Sequence, residues 1–350
     1  MRETFPKTTL KDVSRVSGFA ISTVSDILRN SSHCWASQTT RARVFEAAQK
    51  TGYRCNRLAR GLVLQKTECL AVIIPDQRNP VYTEVVHGVV MEAERRDYEV
   101  FFCSTEDSIE REKEYIERLA DRRCDGIILM PVHGMVDAKV IEFLARANIP
   151  WIAVGPPVPG IPGDYIFAHF DEGTRQITRH LLRLGRKKIV FLAAGMTREV
   201  MKPWVDGFRH TLNETGMNAS ADAIRYCGPG MQEVYHTVKE IFAVPRDVSD
   251  ALVCVNDFSA IAACRAIEEY GLNIPRDVAV VGSDDIEMGA YLHVPLTTVR
   301  YGVQEIGRQA VRMLFERIEE PSLHPRMVWH EPTLVIRQSC GYSGHKEVHD

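Results

Sequence analysis

The 350-residue sequence contains no run of 18 or more apolar residues, so no segment is expected to cross a membrane as a helix. Its first residues, Met1-Arg2-Glu3-Thr4-Phe5-Pro6-Lys7, lack the apolar stretch of a secretory signal, and none is expected. Cysteine has no pairing pattern. The nine residues, at 34, 55, 69, 103, 124, 227, 254, 264 and 340, are odd in number and include no Cys-x-x-Cys pair. That spacing argues against a disulfide framework or a zinc module. It points to reduced thiols in apolar stretches such as Val100-Phe101-Phe102-Cys103 and Leu252-Val253-Cys254-Val255. The Gly-rich phosphate loop ending in Gly-Lys-Ser/Thr, the Gly-x-Ser-x-Gly elbow and the Gly-x-Gly-x-x-Gly turn are also absent. The usual marks of an enzyme are therefore missing, and no catalytic residue, metal or cofactor is expected.

Acidic residues are scarce in one place only. Residues 1–66 carry 12 Lys+Arg against 4 Asp+Glu, leaving 31 against 42 in the rest of the chain. The net charge of −3 thus conceals a basic head on a mildly acidic body, the electrostatic footprint of a nucleic-acid-binding module. A solvated basic face without a partner is the blander alternative.

Within the head, Leu10, Val13 and Val16 recur at helical spacing, Gly18 interrupts, and Ile21, Val24 and Leu28 recur again. Glycine permits the sharp bend between two such helices. The pattern predicts a helix-turn-helix whose second helix is free to lie in a major groove. A polar stretch at 30–37 leads to a third helix from about Thr39 to Thr51, which Gly52 ends.

From residue 69 the pattern changes to strand-length apolar runs alternating with amphipathic helices. The runs fall at 70–74, 100–103, 126–130 and 151–154, then at 189–193, weakly near 223–227, and at 251–255 and 278–282. Such alternation predicts parallel sheets covered on both faces. The Pro/Gly-rich stretch 155–163 is expected to separate two doubly wound lobes, with a ligand cleft between them at the strands' carboxyl ends.

This order of parts closely resembles the lactose-repressor (LacI/GalR) family of bacterial transcription regulators, from Thr9 to about Cys340. The resemblance rests on Thr9-Leu10-Lys11-Asp12-Val13 with Thr23-Val24-Ser25, Ala47-Ala48 through Gly52-Tyr53, and Asn56-Arg57-Leu58-Ala59-Arg60-Gly61-Leu62. It continues through Val255-Asn256-Asp257, Val280-Val281-Gly282-Ser283-Asp284-Asp285 and Pro295-Leu296-Thr297-Thr298-Val299. It implies an all-α helix-turn-helix headpiece at 1–55, a hinge helix and linker at 56–67, and a tail at 343–350. Between linker and tail, residues 68–342 would form a periplasmic-binding-protein-like α/β effector and dimerisation domain. Three crossovers would join its lobes, returning a helix at 302–318 to the first and a strand at 333–337 to the second. The implied function is an effector-responsive, sequence-specific DNA-binding regulator, usually a repressor, and not an enzyme. Its implied partners are double-stranded operator DNA, a small polar effector such as a sugar or sugar acid, and a second copy of itself. No membrane is involved, and the location is the bacterial cytoplasm and its nucleoid. A cytoplasmic sugar-binding protein or an α/β enzyme with no DNA role is the competing reading.

The resemblance places DNA contacts at Thr9, Ile21, Ser22, Thr23, Ser25, Asp26, Arg29, His33, Thr40, Arg41, Asn56, Arg57, Ala59, Arg60 and Leu62. Ile21 suits a thymine methyl and Ser22 either base type. Asp26 departs from the Arg or His often found there, and either accepts from a cytosine amine or pairs with Arg29. Ala20 replaces an N-capping Ser, Cys55 replaces a Pro, and the link after the second helix is about two residues longer. Leu62 would wedge a minor-groove base step, or Leu58 and Leu62 would pack on the body.

Effector candidates are Asn79, Tyr82, Asp171, Lys202, Trp204, Asn256, Asp284 and Tyr301. For Asp257 and Asp285, helix capping or turn chemistry competes with a ligand role. Trp204 stands where the family usually carries Arg, which removes a bidentate fork. Trp204 could stack on a ligand ring while Lys202 or Arg198 supplies charge, or it could simply fill the cleft wall.

Overall fold

The computed structural model describes residues 8–28, 34–53, 66–122, 124–134, 136–195, 197–217, 221–228, 230–243 and 249–342. The expectations for Arg29, His33, Asn56, Arg57, Ala59, Arg60 and Leu62 lie outside the described residues, as do those for Cys55, Leu58 and the tail. The chain divides into two units, Met1–Thr67 and Glu68–Asp350.

In the first unit, α1 (Leu10–Ser17), α2 (Ile21–Leu28) and α3 (Gln38–Thr51) surround a small core of Val13, Val24, Ile27, Val44, Ala47 and Ala48. Thr9 starts α1: its backbone N–H and its hydroxyl both donate to Asp12 Oδ2, at 2.9 and 2.8 Å. Gly18 takes φ +78° in the turn to α2, a conformation that side chains rarely adopt. The apolar stripes differ from those expected. Val16 and Ile21 face outward, and Ser17 and Ile27 take the buried positions. A helix of two turns meets the core along only two or three positions, so its outer apolar residues remain free.

The second unit begins with a six-stranded parallel sheet: β1 (Cys69–Ile74), β2 (Glu99–Ser104), β3 (Gly126–Leu129), β4 (Trp151–Val154), β5 (Tyr165–Ala168) and β11 (Met327–His330). Its order is β11-β5-β4-β3-β1-β2. Helices α4 (Pro80–Glu94), α5 (Ile109–Arg122) and α6 (Ala138–Arg146) connect the early strands. Four parallel strands form the second lobe: β6 (Ile189–Ala194), β7 (Ile224–Cys227), β8 (Ala251–Cys254) and β9 (Ala279–Val281), in the order β7-β6-β8-β9. Its helices α7 (Phe170–Arg183) and α8 (Lys202–Glu214) pack on each other, as do α9 (Met231–Ala243) and α10 (Asp257–Glu269).

The expected lobe boundary moves. The Pro/Gly-rich stretch lies before β5, and β5 pairs with β4 in the first sheet, so the chain leaves the first lobe only at residues 169–170. A four-residue strand of Tyr-Ile-Phe-Ala is too short to show periodicity, and its partners lie elsewhere in the chain. The chain returns to the first lobe as α11 (Val303–Glu319), which packs on α4 and on β3, β4 and β5. After β11 it crosses once more to β12 (Thr333–Val335), which pairs antiparallel with β10 (Thr298–Arg300) beside β9.

No helix among the described residues is long and apolar enough to cross a membrane. The described cysteines are free thiols, with Cys124, Cys254, Cys264 and Cys340 buried.

Candidate functional site

Two regions carry the predicted contacts. In the head, burial of Val24 and Ile27 turns the opposite side of α2 outward, exposing Ile21, Ser22 and Asp26 and leaving Thr23 and Ser25 partly covered. At the start of α3, Ser37 caps the helix by accepting from the Thr40 N–H at 3.1 Å, and the Thr40 hydroxyl lies 2.9 Å from the Ser37 hydroxyl. Arg41 donates to the Cys34 carbonyl at 3.0 Å.

In the body, predicted residues gather at strand ends. Asn79 and Tyr82 follow β1, and Asn79 caps α4 by accepting from the Val81 N–H at 3.0 Å. Asn256 follows β8 and caps α10, accepting from the Ser259 N–H at 2.8 Å. In both, the side-chain oxygen is already used and the amide NH2 is the group left to offer. Asp284 follows β9 at φ +115°, a conformation rare for side-chain-bearing residues.

Five ties hold that bend. Asp257 is fully buried; its backbone N–H donates to the Ser283 carbonyl at 2.7 Å, and its carboxylate accepts from the Thr298 hydroxyl at 2.6 Å and the Ile286 N–H at 2.9 Å. Asp285 receives Arg300 at 2.7 Å and Arg337 at 2.6 Å. Asp257 and Asp285 therefore position the segment that carries Asp284. Burial pushes the Asp257 carboxyl up to about 7. Burial, and then Asp257 beside it, push Asp284 well above the carboxylate range.

Tyr82 belongs to the first lobe, yet its hydroxyl feels Asp284 of the second as well as Asp107 and Asp76; burial is the main cause of its raised pKa. Tyr301, 2% exposed, is raised by burial and then by Asp284, Asp257 and Asp171. Asp284 thus sits within electrostatic reach of two tyrosines, one from each side of the cleft.

The wall beside it is aromatic. Trp204, in the first turn of α8, stacks on Phe170 at 4.1 Å and 19°, and Phe170 meets Tyr301 edge-on at 5.0 Å. Glycines permit this packing: a Cβ on Gly173 would lie 2.5 Å from the Tyr301 hydroxyl, and one on Gly207 would lie 2.3 Å from the Asp171 carbonyl. Trp204 is only 8% exposed, so its ring is wall as much as contact surface. Phe170 was missed by sequence reasoning, although an aromatic directly before a candidate Asp171 was a usable signal.

Lys202 does not join this group. Its exposed ammonium pairs with Asp206 one turn along α8, a local i,i+4 bridge that leaves it no reason to turn into the cleft. Arg198 lies over the Tyr226 ring at 4.1 Å. Asp171 lies 3.4 Å from Arg175 and 3.9 Å from His169. Aromatic faces, hydroxyls, amides and carboxyls suit a polar, multiply hydroxylated ligand. Among the described residues, no cluster of His, Cys, Asp and Glu could hold a metal ion.

Comparison with known proteins gives a consistent result. Residues 9–56 match the model of bacterial regulatory proteins, lacI family, and residues 178–340 match a periplasmic binding protein-like domain. The HTH-type transcriptional repressor PurR of Pasteurella multocida is 30% identical over 332 residues, covering 95% of this chain and 98% of the relative. PurR of Aliivibrio salmonicida is 28% identical with the same coverage. Among solved structures, a complex of the transcriptional regulator CelR with cellobiose matches with TM-score 0.72 at 26% identity over 95% of this chain and 99% of that one. The Lac repressor dimer bound to operator and the anti-inducer ONPF shares the fold, with TM-score 0.84 at 23% identity over 96% and 99%.

Proposed function

Because the chain belongs to the lacI family of bacterial regulatory proteins, we propose a division of labour between its two units. It is an effector-responsive DNA-binding repressor rather than an enzyme. The head reads operator DNA through Ile21, Ser22, Thr23, Ser25 and Asp26, with Thr9, Thr40 and Arg41 beside them. Arg29, His33 and the hinge residues Asn56, Arg57, Ala59, Arg60 and Leu62 add phosphate and minor-groove contacts. The effector is a sugar-like metabolite held by Asp284, Tyr82, Tyr301, Asn79, Asn256 and Asp171 against the Trp204 wall. Effector binding changes how the lobes close and so whether two hinges can meet on DNA, a shift between two populations.

The observation that carries this reading is the pairing, in one chain, of a basic head presenting a polar α2 face with a body of two parallel sheets that bring Asn79 and Tyr82, and Asn256 and Asp284, to their strand ends. A homodimer through the body is supported by β2, the edge strand of the first sheet. Successive Phe101 and Phe102 are 43% and 44% exposed on its opposite faces, where parallel sheets are normally covered. DNA binding would place the protein on the bacterial nucleoid.

The test begins with duplexes selected by the protein from a randomised library, titrated at several salt concentrations with and without a panel of neutral sugars. Affinity should fall steeply with salt. One class of sugar should change it, and Asp284→Ala should abolish that change while operator binding persists. Absence of any salt-dependent duplex binding would overturn the reading.

A further inference from the structure

Trp35 is fully exposed, at 101% of its reference area, in a head whose other described large apolar side chains are at least partly covered. It is not loosely held. Cys34 and Ala36 on either side pack against the head's core, and the Ala36 N–H donates to the Cys34 carbonyl at 3.0 Å across the tryptophan. Arg41 anchors the same carbonyl, and Ser37, two residues on, caps α3. A tight turn with both flanks pinned therefore presents the indole outward. Leaving so large an apolar ring in water forgoes burial that an inward turn would recover.

The turn directly precedes α3, which packs against both α1 and α2. One turn into α3, Arg43 donates to the Ser17 carbonyl at 3.2 Å, and its guanidinium lies over Phe19 at 5.0 Å. The first half of α3 is thereby tied to the turn from which α2 and its exposed Ile21 set out. The surrounding unit is strongly basic, which favours a polyanionic occupant over an apolar protein surface.

From this placement we propose that Trp35 is a DNA-contacting residue of the head. Its ring packs on the deoxyriboses of the strand bordering the groove that α2 enters, and its indole N–H donates to a phosphate oxygen. The proposal deepens the DNA-binding reading above and rests on it. Base reading needs a recognition helix held at fixed depth and register, and contacts to the strand beside the groove supply that positioning.

The experiment uses the full chain and a duplex that the wild type has selected from a randomised library. Trp35→Ala should bind that duplex about ten-fold more weakly, with the slope of log affinity against log salt unchanged because no cation is lost. Trp35→Phe should retain most of the affinity. In the wild type, the fraction of tryptophan fluorescence quenched by acrylamide should drop when the duplex is added, and Trp35→Phe should show no such drop. The melting temperature of both variants should match the wild type, since the side chain is fully exposed among the described residues. Equal affinity of Trp35→Ala and wild type, or unchanged quenching at saturating duplex, would overturn the proposal and leave DNA binding standing. Failure of the wild type to select any duplex would instead remove the reading on which it rests.

Discussion

Single residues reveal where composition and environment disagree. Glu112 is a charged residue in an amphipathic helix, yet it is buried, and it accepts the Val132 N–H at 2.7 Å in the loop after β3. That loop reaches the other lobe, since a Cβ on Gly134 would meet Val200 at 2.8 Å. Burial, with Asp137 adding to it, pushes the carboxyl up to about 7 against the opposing hydrogen bond and Lys113. The folded chain thus holds this proton more tightly than the unfolded chain does, so stability falls as pH climbs from about 4.5 through about 7. Glu112→Gln keeps an acceptor and removes the charge. It should raise the melting temperature above pH 7, by up to about 3 kcal/mol of stability, and flatten the slope between pH 5 and 8. An unchanged slope in thermal melts would show that Glu112 does not titrate there. Residue types alone also showed only part of the roles of Asn79 and Asn256: the fold uses their side-chain oxygens as helix caps and leaves the amide NH2 groups to offer. Asn256→Asp should preserve the cap and stability yet weaken any effector response that depends on the amide NH2, and Asn256→Ala should cost both, about 1 kcal/mol for the cap. Calorimetry with a responding sugar separates the two.

At the scale of elements, the contact between α4 and α11 depends on two glycines. A Cβ on Gly88 would lie 2.0 Å from the Gln304 carbonyl, and one on Gly307 would lie 2.2 Å from the Val85 carbonyl. Backbone meets backbone there, and arginine bridges from Arg312 to Glu92 flank the crossing. Gly88→Ala must push the helices apart and should cost on the order of 1–3 kcal/mol, read as a lower urea midpoint with unchanged slope. A midpoint equal to wild type would mean that the helices can slide without loss. The contact joins residues more than 200 positions apart, so no local pattern announces it. The strand β5 escaped notice for a related reason: its four residues gain their identity only by lying between β4 and β11. Long, strongly periodic elements such as α3, α5 and β1 were legible where they stand, because their own side chains define the buried face.

For the whole molecule, two units with separate cores predict that they can be parted. A fragment of residues 68–350 retains the six-stranded and four-stranded sheets and the exposed β2 edge. It should elute as a dimer and bind the effector, and it should shift no duplex at any salt concentration. Light scattering at the mass of one chain would place the dimer contact in the head instead, contrary to the reading of Phe101 and Phe102.

Sequence by itself determined the basic head, the helix-turn-helix, the alternation of strands and helices, and the family. These follow from charge density, from periods of 3.6 and 2 residues, and from motifs whose spacing is local. Tertiary structure alone decided which lobe owns β5 and which apolar residues of the two-turn helices are buried. It also decided that Lys202 pairs outside the cleft, and that Asp257 and Asp285 hold Asp284 rather than join it. Apart from the local Lys202–Asp206 bridge, each of these depends on a partner distant in the chain. Burial and pairing are properties of the neighbourhood that folding assembles, and a side chain's chemistry acquires its role only there.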